Sequence, residues 1–197
     1  MPTVRSFVAV DLGAAVKSRL SEVQRQLKAT VPSGSVRWVQ PDSVHLTLKF
    51  LGDVPAERVD EIAAALRQTC EPLLPLSFAV GGAGCFPDLR RPNVVWIGVD
   101  DPTRHLLALQ QAVEKALNPL GFPPESRPFK THLTLGRTQR SAPGADLRAV
   151  GDRVGALNVG ALGQVEVREI LLMRSDLSPG GARYTPLARI SLGGVEI

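Results

Sequence analysis

The amino-acid sequence of 197 residues predicts an α+β fold built on antiparallel sheets. Predicted strands outnumber predicted helices and come in hairpin-like groups, a pattern that favours antiparallel over parallel doubly wound sheets. The chain contains neither a Gly-rich dinucleotide-binding fingerprint nor a P-loop, and this absence argues further against a parallel sheet. Hydrophobic residues make up 44% of the chain, enough to bury a core.

The first part of the chain alternates between strand-like and helix-like periodicity. Period-2 alternation marks the strands, and apolar residues every three to four positions mark the helices. Gly52 is expected to end the second long strand, and Pro55 to open the helix that follows it. The predicted elements are a strand at 3–11, a helix at 14–29, strands at 36–39 and 44–51, and a helix at 55–70.

The second part repeats this cycle in outline. Its predicted elements are strands at 76–80 and 94–99, a helix at 102–117, a Pro/Gly-rich turn at 118–128, and a strand at 129–138. Residues 139–163 show weak periodicity and predict a mobile loop with at most a short helix near 145–154. Two final strands, 164–174 and 182–192, are separated by the hairpin-turn sequence Ser178-Pro179-Gly180-Gly181.

Charge and composition restrict the location and the partner only loosely. The net charge of +4 and the pI near 9.5 fit an anionic partner such as RNA or a nucleotide, but the excess charge is spread along the chain. No apolar run approaches the roughly 20 residues of a membrane span, and the opening residues lack a secretory pattern, so we expect a cytoplasmic protein. Cys70 and Cys85 lack metal-ligand spacing and are expected to be structural.

The most specific feature of the sequence is a repeated tetrapeptide. Two of the three histidines open the same sequence, His-Leu-Thr-Leu, at 45–48 and at 132–135. At average residue frequencies a given His is followed by Leu-Thr-Leu roughly once in a thousand times or less, so the repeat is not compositional noise. The copies lie 87 residues apart, near half the chain, which suggests two lobes facing each other across a cleft.

The alternation of side chains along a strand gives the motif a clear orientation. Successive side chains point to opposite faces, so His45 and Thr47 share one face while the leucines anchor the other. The same geometry holds for His132 and Thr134. A single strand histidine is usually an ordinary core or surface residue, but core packing has no need to repeat a polar His and Thr pair.

Two imidazoles across a cleft suit in-line displacement at phosphorus. One can act as a base on the attacking hydroxyl and the other as an acid on the departing oxygen, because the ordinary histidine pKa lies near neutrality. The threonine hydroxyls can donate hydrogen bonds to the non-bridging oxygens. A zinc site is the rival use of the histidines, but no Cys, Asp or Glu lies near either motif at metal spacing. His105 is predicted to be an exposed bystander on a helix.

These residues resemble the two-histidine phosphoesterases, and within them the bacterial and archaeal RNA 2′,3′-cyclic phosphodiesterases, historically called 2′-5′ RNA ligases (LigT-like). The resemblance runs the length of the chain through RSFVAVDL, HLTLKFLG, VVWIGV, RPFKTHLTLGR and LLMRSDLSPGGARYTPL. It implies a single bilobal domain over residues 1–197, with two antiparallel sheets, outer helices and a central groove. Each half would contribute one motif under approximate two-fold symmetry.

The resemblance also assigns roles to residues of this sequence. It makes His45 the proton donor and His132 the proton acceptor, with Thr47 and Thr134 as phosphate-binding partners. It adds Arg137, five residues after the second histidine, as a phosphate contact. Strict alternation would aim Arg137 away from the groove, but a bulge at Gly136 would redirect it.

The position in the first motif that corresponds to Arg137 is Phe50. If the lobes are symmetric, Phe50 reaches the groove and offers an aromatic wall for a nucleobase; otherwise it is ordinary core. Phe7 is a second substrate-binding candidate, and Tyr184 a weaker one. Lys49 is expected on the same face as His45, either binding RNA or exposed at the strand end.

The resemblance implies metal-independent hydrolysis of a terminal RNA 2′,3′-cyclic phosphate to a 2′-phosphomonoester, with weak reversible 2′-5′ ligation in some members. The expected partners are RNA 3′ ends or nucleoside 2′,3′-cyclic phosphates, the expected state is a monomer, and no cofactor or metal is expected. Other substrates, such as a 2′-5′ oligoadenylate or ADP-ribose cyclic phosphate, stay open. A non-catalytic RNA-end binder is the alternative from another class.

Overall fold

The computed structural model of the chain describes residues 2–178 and 181–194. Those residues form nine β-strands and four α-helices. The strands are β1 (Thr3–Val10), β2 (Val36–Trp38), β3 (Leu46–Pro55), β4 (Leu76–Phe86), β5 (Val94–Asp100), β6 (His132–Thr138), β7 (Ala161–Val167), β8 (Glu169–Ser178) and β9 (Gly181–Ser191). The helices are α1 (Gly13–Thr30), α2 (Val59–Cys70), α3 (His105–Leu117) and α4 (Gly144–Ala156).

The strands form two sheets, which we call sheet A and sheet B. Sheet A has the strand order β3-β1-β8-β9, and sheet B has the order β2-β6-β5-β4-β7. Every neighbouring pair is antiparallel. The predicted α+β class with two antiparallel sheets is therefore confirmed.

The helices pack on the sheets in a crossed arrangement. Helix α2 lies against β9 of sheet A, α1 against β7 and α4 against β4 of sheet B, and α3 against both β3 of sheet A and β4 of sheet B. Helix α1 follows a strand of sheet A but packs on sheet B, and α3 follows a strand of sheet B but also contacts sheet A. Their apolar faces join one continuous core, in which Leu20, Leu27, Leu109 and Leu117 are almost fully buried. The crossing ties the two sheets together.

The strand predicted at 76–80 is longer in the structure, so its predicted end is wrong. Strand β4 continues past residue 80 to Phe86 through Gly81, Gly82 and Gly84. A Cβ on Gly84 would lie 2.4 Å from the ring of Trp96 on β5, so this glycine leaves room for the indole on the sheet surface. Here glycine serves close packing within a strand and does not terminate it.

Two other strand boundaries also differ from the prediction. Strand β3 runs through Gly52, whose φ of +71° is accommodated at a bulge beside Ser6. The single strand predicted at 164–174 is two strands, because the chain leaves sheet B after Val167 and enters sheet A at Glu169. Periodicity alone cannot show such a change of sheet, since both segments alternate.

The segment predicted as a loop contains helix α4, which is longer than the expected short helix. Val150 and Val154 bury one face of it, and Gly151 lets the backbone of Leu89 approach so closely that a Cβ would overlap the Leu89 carbonyl oxygen. The predicted hairpin after β8 is present, with Ser178 paired to Gly181. Its turn residues Pro179 and Gly180 lie outside the described residues.

The remaining predictions on composition concern cysteines and membrane spans. Cys70 and Cys85 are buried free thiols, and burial raises the pKa of each to about 11, in agreement with a structural role. No helix within the described ranges is long and apolar enough to cross a membrane.

Candidate active site

The two tetrapeptides lie at corresponding positions of the two sheets. His45 directly precedes β3 of sheet A, and His132 is the first residue of β6 of sheet B. Leu46 and Leu133 are fully buried beneath them, while both histidines and both threonines remain partly exposed. The alternation predicted for the motif, with leucines anchored and His and Thr projecting, is what the structure shows.

A groove of about 490 Å³ brings the two motifs together. Its lining includes every residue predicted for the site: His45, His132, Thr47, Thr134, Arg137, Phe50 and Phe7. Arg5 and Tyr184 line the same groove. His105 is exposed at the start of α3 and does not line it. One cavity therefore contains both imidazoles, both threonine hydroxyls and the guanidinium groups of Arg5 and Arg137.

Both imidazoles are held by the same local hydrogen bond. The Nδ1 atom of His45 lies 2.8 Å from the carbonyl oxygen of Ser43, and that of His132 lies 2.7 Å from the carbonyl oxygen of Lys130. A carbonyl oxygen can only accept, so Nδ1 carries a proton in each ring and Nε2 is the atom that exchanges protons. In both motifs the carbonyl belongs to the residue two positions before the histidine. The two-fold similarity thus extends to tautomer and ring orientation.

Each motif strand contains a β-bulge at its fourth motif residue. In β3, Thr47 pairs with Ala9 and Lys49 with Val8, which leaves Leu48 as the extra residue. In β6, Thr134 pairs with Trp96 and Gly136 with Val95, which leaves Leu135 extra. A bulge shifts the alternation by one position, so Phe50 and Arg137 return to the groove face. The bulge predicted at Gly136 is present and has a counterpart in the first motif.

Different side-chain contacts are found at the two bulges. The residue after the first bulge, Lys49, is only 3% exposed; its ammonium forms an ion pair with Glu114 of α3 and donates to the carbonyl oxygen of Pro123 at 2.8 Å. At the second bulge, Gln24 of α1 donates to the carbonyl oxygen of Leu135 at 3.0 Å. The expectation that Lys49 faces the groove is therefore wrong, because the bulge turns it toward α3.

Aromatic rings surround His45 more closely than His132. Phe7 stacks on the His45 ring with centroids 4.7 Å apart, and Tyr184 meets His45 edge-on at 5.0 Å. His132 has one ring neighbour among the described residues, Phe86, at 4.9 Å and edge-on. Phe7 is 3% exposed, whereas Phe50 is 61% exposed. Phe7 therefore supports the imidazole, and Phe50 has the free ring surface of the two.

Burial lowers the pKa of both catalytic candidates below the ordinary histidine value. For His45 the main cause is burial, partly offset by the hydrogen bond to Ser43; Lys17 lowers the pKa further and Asp11 opposes this. For His132 burial is again the main cause, and the positive charge of Arg137 adds to it. Both imidazoles are thus biased toward the neutral form, which can accept a proton.

The groove offers two imidazoles to a metal ion, and two ligands are too few for a zinc site. In the part of the chain that the structure describes, no three His, Cys, Asp or Glu side chains are grouped as a metal site would require. No third ligand of these types lines the groove within that part.

The match to a known family also divides the chain into two parts. The family model described as LigT like Phosphoesterase matches the chain twice, over residues 10–96 and 97–184. Each matched range contains one copy of the tetrapeptide. The chain belongs to the LigT-like phosphoesterase family.

Individual relatives of this LigT-like phosphoesterase are similar over nearly the whole chain. The RNA 2′,3′-cyclic phosphodiesterase of Methanothermobacter thermautotrophicus is 35% identical over 184 residues, which cover 93% of this chain and 96% of the relative. That of Aquifex aeolicus is 31% identical over 196 residues, which cover 98% and 100%.

Solved structures show the same fold. A protein of Thermus thermophilus matches with a TM-score of 0.79 at 28% identity, covering 98% of this chain and all of that one. Escherichia coli LigT complexed with 3′-AMP matches with a TM-score of 0.74 at 28% identity, covering 97% and 99%.

Sequence reasoning missed some parts of the LigT-like site. The carbonyl oxygens of Ser43 and Lys130 fix the imidazoles, but a backbone contact leaves no trace in residue identity. Tyr184 is only a weak candidate in the sequence because it lies far along the chain, whereas β9 brings it against His45. Only the structure shows that each histidine contacts the carbonyl oxygen of the residue two positions before it.

Proposed function

We propose that the protein is a metal-independent RNA 2′,3′-cyclic phosphodiesterase that opens the cyclic phosphate to a 2′-phosphomonoester. The observation that carries the proposal is the pair of imidazoles that line one groove, each held through Nδ1 by the same kind of backbone hydrogen bond. The names of relatives such as the Methanothermobacter protein, an RNA 2′,3′-cyclic phosphodiesterase, support the substrate class. RNA 3′ ends and nucleoside 2′,3′-cyclic phosphates are the proposed substrates.

The proposed reaction is a single in-line displacement. His132 accepts a proton from water through Nε2 as the water oxygen attacks phosphorus. The bond between phosphorus and O3′ breaks, and His45 donates its Nε2 proton to O3′. Proton exchange with solvent then restores both imidazoles. If the 5′-hydroxyl of a second RNA replaced water, the same steps would give a 2′-5′ linkage, which is the weak ligation expected from the resemblance.

Differences between the surroundings of the two rings support one assignment of acid and base, although burial lowers the pKa of both. Asp11 opposes the effect of Lys17 on the pKa of His45. Arg137 disfavours a positive charge on His132, which suits a residue that begins neutral. The face of Phe7 stacked on His45 can stabilise an imidazolium through its quadrupole, which suits a residue that begins protonated. We therefore keep His45 as the proton donor and His132 as the proton acceptor.

Three side chains are proposed to bind the phosphate. The hydroxyls of Thr47 and Thr134 donate to non-bridging oxygens, on which negative charge grows in the transition state. Arg137 adds a guanidinium, which binds phosphate oxygens through charge-assisted hydrogen bonds. Phe50 is proposed to stack on the base of the reacting nucleotide, because 61% of its surface is exposed. A substrate contact by Phe7 stays a prediction.

The proposed working unit is a single bilobal domain comprising residues 1–197, acting as a monomer in the cytoplasm. Each half contributes one motif to the groove, so one chain supplies both the acid and the base. The packing of α1 and α3 supports one unit, because each of these helices contacts the sheet that presents the motif of the other half. The free thiols of Cys70 and Cys85 suit a reducing compartment.

The proposal is tested by turnover of a nucleoside 2′,3′-cyclic phosphate in the presence of EDTA, with the products separated by chromatography. The wild-type protein should release the 2′-phosphate. The His45→Ala and His132→Ala variants should each lose more than roughly a thousandfold in kcat. Full activity in either variant, or a strict metal requirement, would reject the proposal. Binding of a 2′-phosphate without turnover would favour a non-catalytic RNA-end binder.

A further inference from the structure

A second cavity of about 300 Å³ adjoins the groove on the far side of His45. It lies over the face of sheet A formed by β1, β8 and β9. Ser43, Val44, His45 and Tyr184 line both spaces, so the cavity opens directly beside the reacting imidazole. We call it the side cavity. Its volume lies at the lower end of the range for small-molecule sites, about 300–1,000 Å³.

Apolar side chains form part of the lining of the side cavity. Ala9, Leu171, Met173 and Pro186 contribute to it from three neighbouring strands. Tyr184 adds an aromatic ring that also meets His45 edge-on. Apolar side chains beside an aromatic ring, together with charged groups in the same lining, suit a flat group that has an apolar face and polar edges, such as a nucleobase.

The charges around the side cavity argue against a second phosphate. Two cations line it, but Lys17 is ion-paired with Asp11, and Arg189 with Glu169. Asp42 stands exposed at the cavity edge and takes part in none of the ion pairs among the described residues. An unpaired carboxylate only accepts hydrogen bonds, so it selects a ligand that presents N–H donors.

We propose that the side cavity is a base-binding subsite for the nucleotide adjacent to the one that carries the cyclic phosphate, and that it prefers guanine. Guanine presents N1–H and N2–H side by side and can bind the Asp42 carboxylate through two hydrogen bonds. Uracil offers a single N–H flanked by two carbonyl oxygens. The inference rests on the proposed function for the identity of the ligand, RNA, and extends it from a mononucleotide end to a dinucleotide end.

The test is a binding measurement that does not require turnover. Titration calorimetry compares three probes: uridine 2′-phosphate, and two dinucleotides that end in uridine 2′-phosphate and carry guanine or uracil as the neighbouring base. The dinucleotides have the same charge, so a difference between them isolates the base. The wild-type protein should bind the guanine dinucleotide about tenfold more tightly than the uracil one, as expected for hydrogen bonds to a charged group.

Two variants and one control test whether the preference for guanine arises in the side cavity. Asp42→Asn should reduce it to less than about threefold and leave the affinity for uridine 2′-phosphate unchanged. Met173→Trp fills the cavity and should remove the preference, while retained binding of uridine 2′-phosphate shows that the protein is folded. Asp152→Asn, at an exposed carboxylate of α4, should behave like the wild type.

The outcomes separate this inference from the proposed function. Equal binding of the two dinucleotides by the wild type, or an equal loss of all three ligands in Asp42→Asn, would overturn the subsite. An unchanged guanine preference in Met173→Trp would also overturn it. If the preference is found but the protein does not turn over a nucleoside 2′,3′-cyclic phosphate, the proposed function fails and the subsite stands. Failure to bind any probe would overturn both.

Discussion

Arg137 is the charged residue that most distinguishes the two motifs, because the first motif has Phe50 in the same place after its bulge. Its guanidinium lowers the pKa of His132 and lines the groove. We expect Arg137→Gln to lower kcat/KM about a hundredfold through loss of a charge-assisted phosphate contact. We also expect the pKa of His132 to rise, which moves the acidic limb of the pH profile to higher pH.

The control for this prediction is Arg148→Gln, at an exposed position of α4. It removes the same charge outside the groove lining and should leave both the rate and the pH profile unchanged. If Arg137→Gln lowers kcat/KM no more than Arg148→Gln does, Arg137 does not contact the phosphate.

Phe50 is one of three large hydrophobic side chains that are strongly exposed among the residues whose burial is described. We expect Phe50→Ala to raise KM about tenfold with little change in kcat, because stacking on one base contributes about 1–3 kcal/mol. The free energy of unfolding should hardly change, since the ring is not part of the core. Leu74→Ala removes a comparably exposed side chain, 47% exposed, that does not line the groove, and should leave KM unchanged. Steady-state kinetics with a cyclic mononucleotide checks both variants.

At the scale of single residues, the repeated motif allowed the site to be predicted. The local backbone geometry that directs each side chain could not be predicted in every case. His45 and Thr47 could be placed on one face because strands alternate, and the same held for the second copy. The direction of Lys49 could not be predicted in this way. The bulge that turns Lys49 inward depends on the pairing of Val8 with Lys49 and of Ala9 with Thr47. The glycine at 136 suggested a bulge in the second motif, whereas a lysine suggests none.

The two β-bulges are the elements that give each motif a second groove-facing position. Gly136 fits its bulge because a Cβ there would lie 2.7 Å from Val36 Cγ1 and 3.1 Å from the Arg37 carbonyl oxygen. We expect Gly136→Ala to displace β2, to lower the free energy of unfolding by about 1–3 kcal/mol, and to lower kcat/KM. Chemical denaturation and kinetics measure the two effects.

The matched control is Gly144→Ala at the first residue of α4, where a Cβ would meet open space. This variant should keep both the stability and the activity of the wild type. Equal behaviour of the two variants would mean that the bulge does not depend on the glycine.

Lys49, the residue that follows the first bulge, forms a buried ion pair with Glu114. Lys49→Met leaves Glu114 as a buried carboxylate with only Gln110 as its partner among the described residues, so we expect a loss of about 3–5 kcal/mol in the free energy of unfolding. The double variant Lys49→Met with Glu114→Met removes both charges and should lose less than the single change. A double variant that is no more stable than Lys49→Met would contradict this account.

For the secondary-structure elements, the sequence predicted whether a segment is a helix or a strand more reliably than it predicted where the segment begins and ends. The helices of the first half were found nearly where their periodicity placed them, because α1 and α2 are amphipathic. Strand β4 is longer than predicted because Gly84, which resembles a turn residue, accommodates Trp96 within the sheet. The division into β7 and β8 was missed because a change of sheet at Arg168 depends on the distant strands that each segment joins.

At the scale of the whole molecule, the crossed helices join two similar sheets around one groove. Sheet A supplies His45 and sheet B supplies His132, so neither sheet alone contains an acid and base pair. The fold class could be predicted from strand and helix content. The crossing of α1 and α3 could not, since it depends on packing between segments far apart in the chain.

The central claim, that two imidazoles act as acid and base on one phosphate, is tested most directly by the pH dependence of kcat/KM. The productive form has one neutral and one protonated imidazole, and its population is greatest between the two pKa values. Burial lowers both pKa values, so the wild-type profile for a nucleoside 2′,3′-cyclic phosphate should be bell-shaped with its maximum below about pH 6.5. The rate falls at higher pH as the acid loses its proton, and at lower pH as the base gains one. His132→Asn should abolish the acidic limb and His45→Asn the basic limb, each with a rate loss above roughly a thousandfold. A bell-shaped profile that persists at the wild-type rate in either variant would contradict the account.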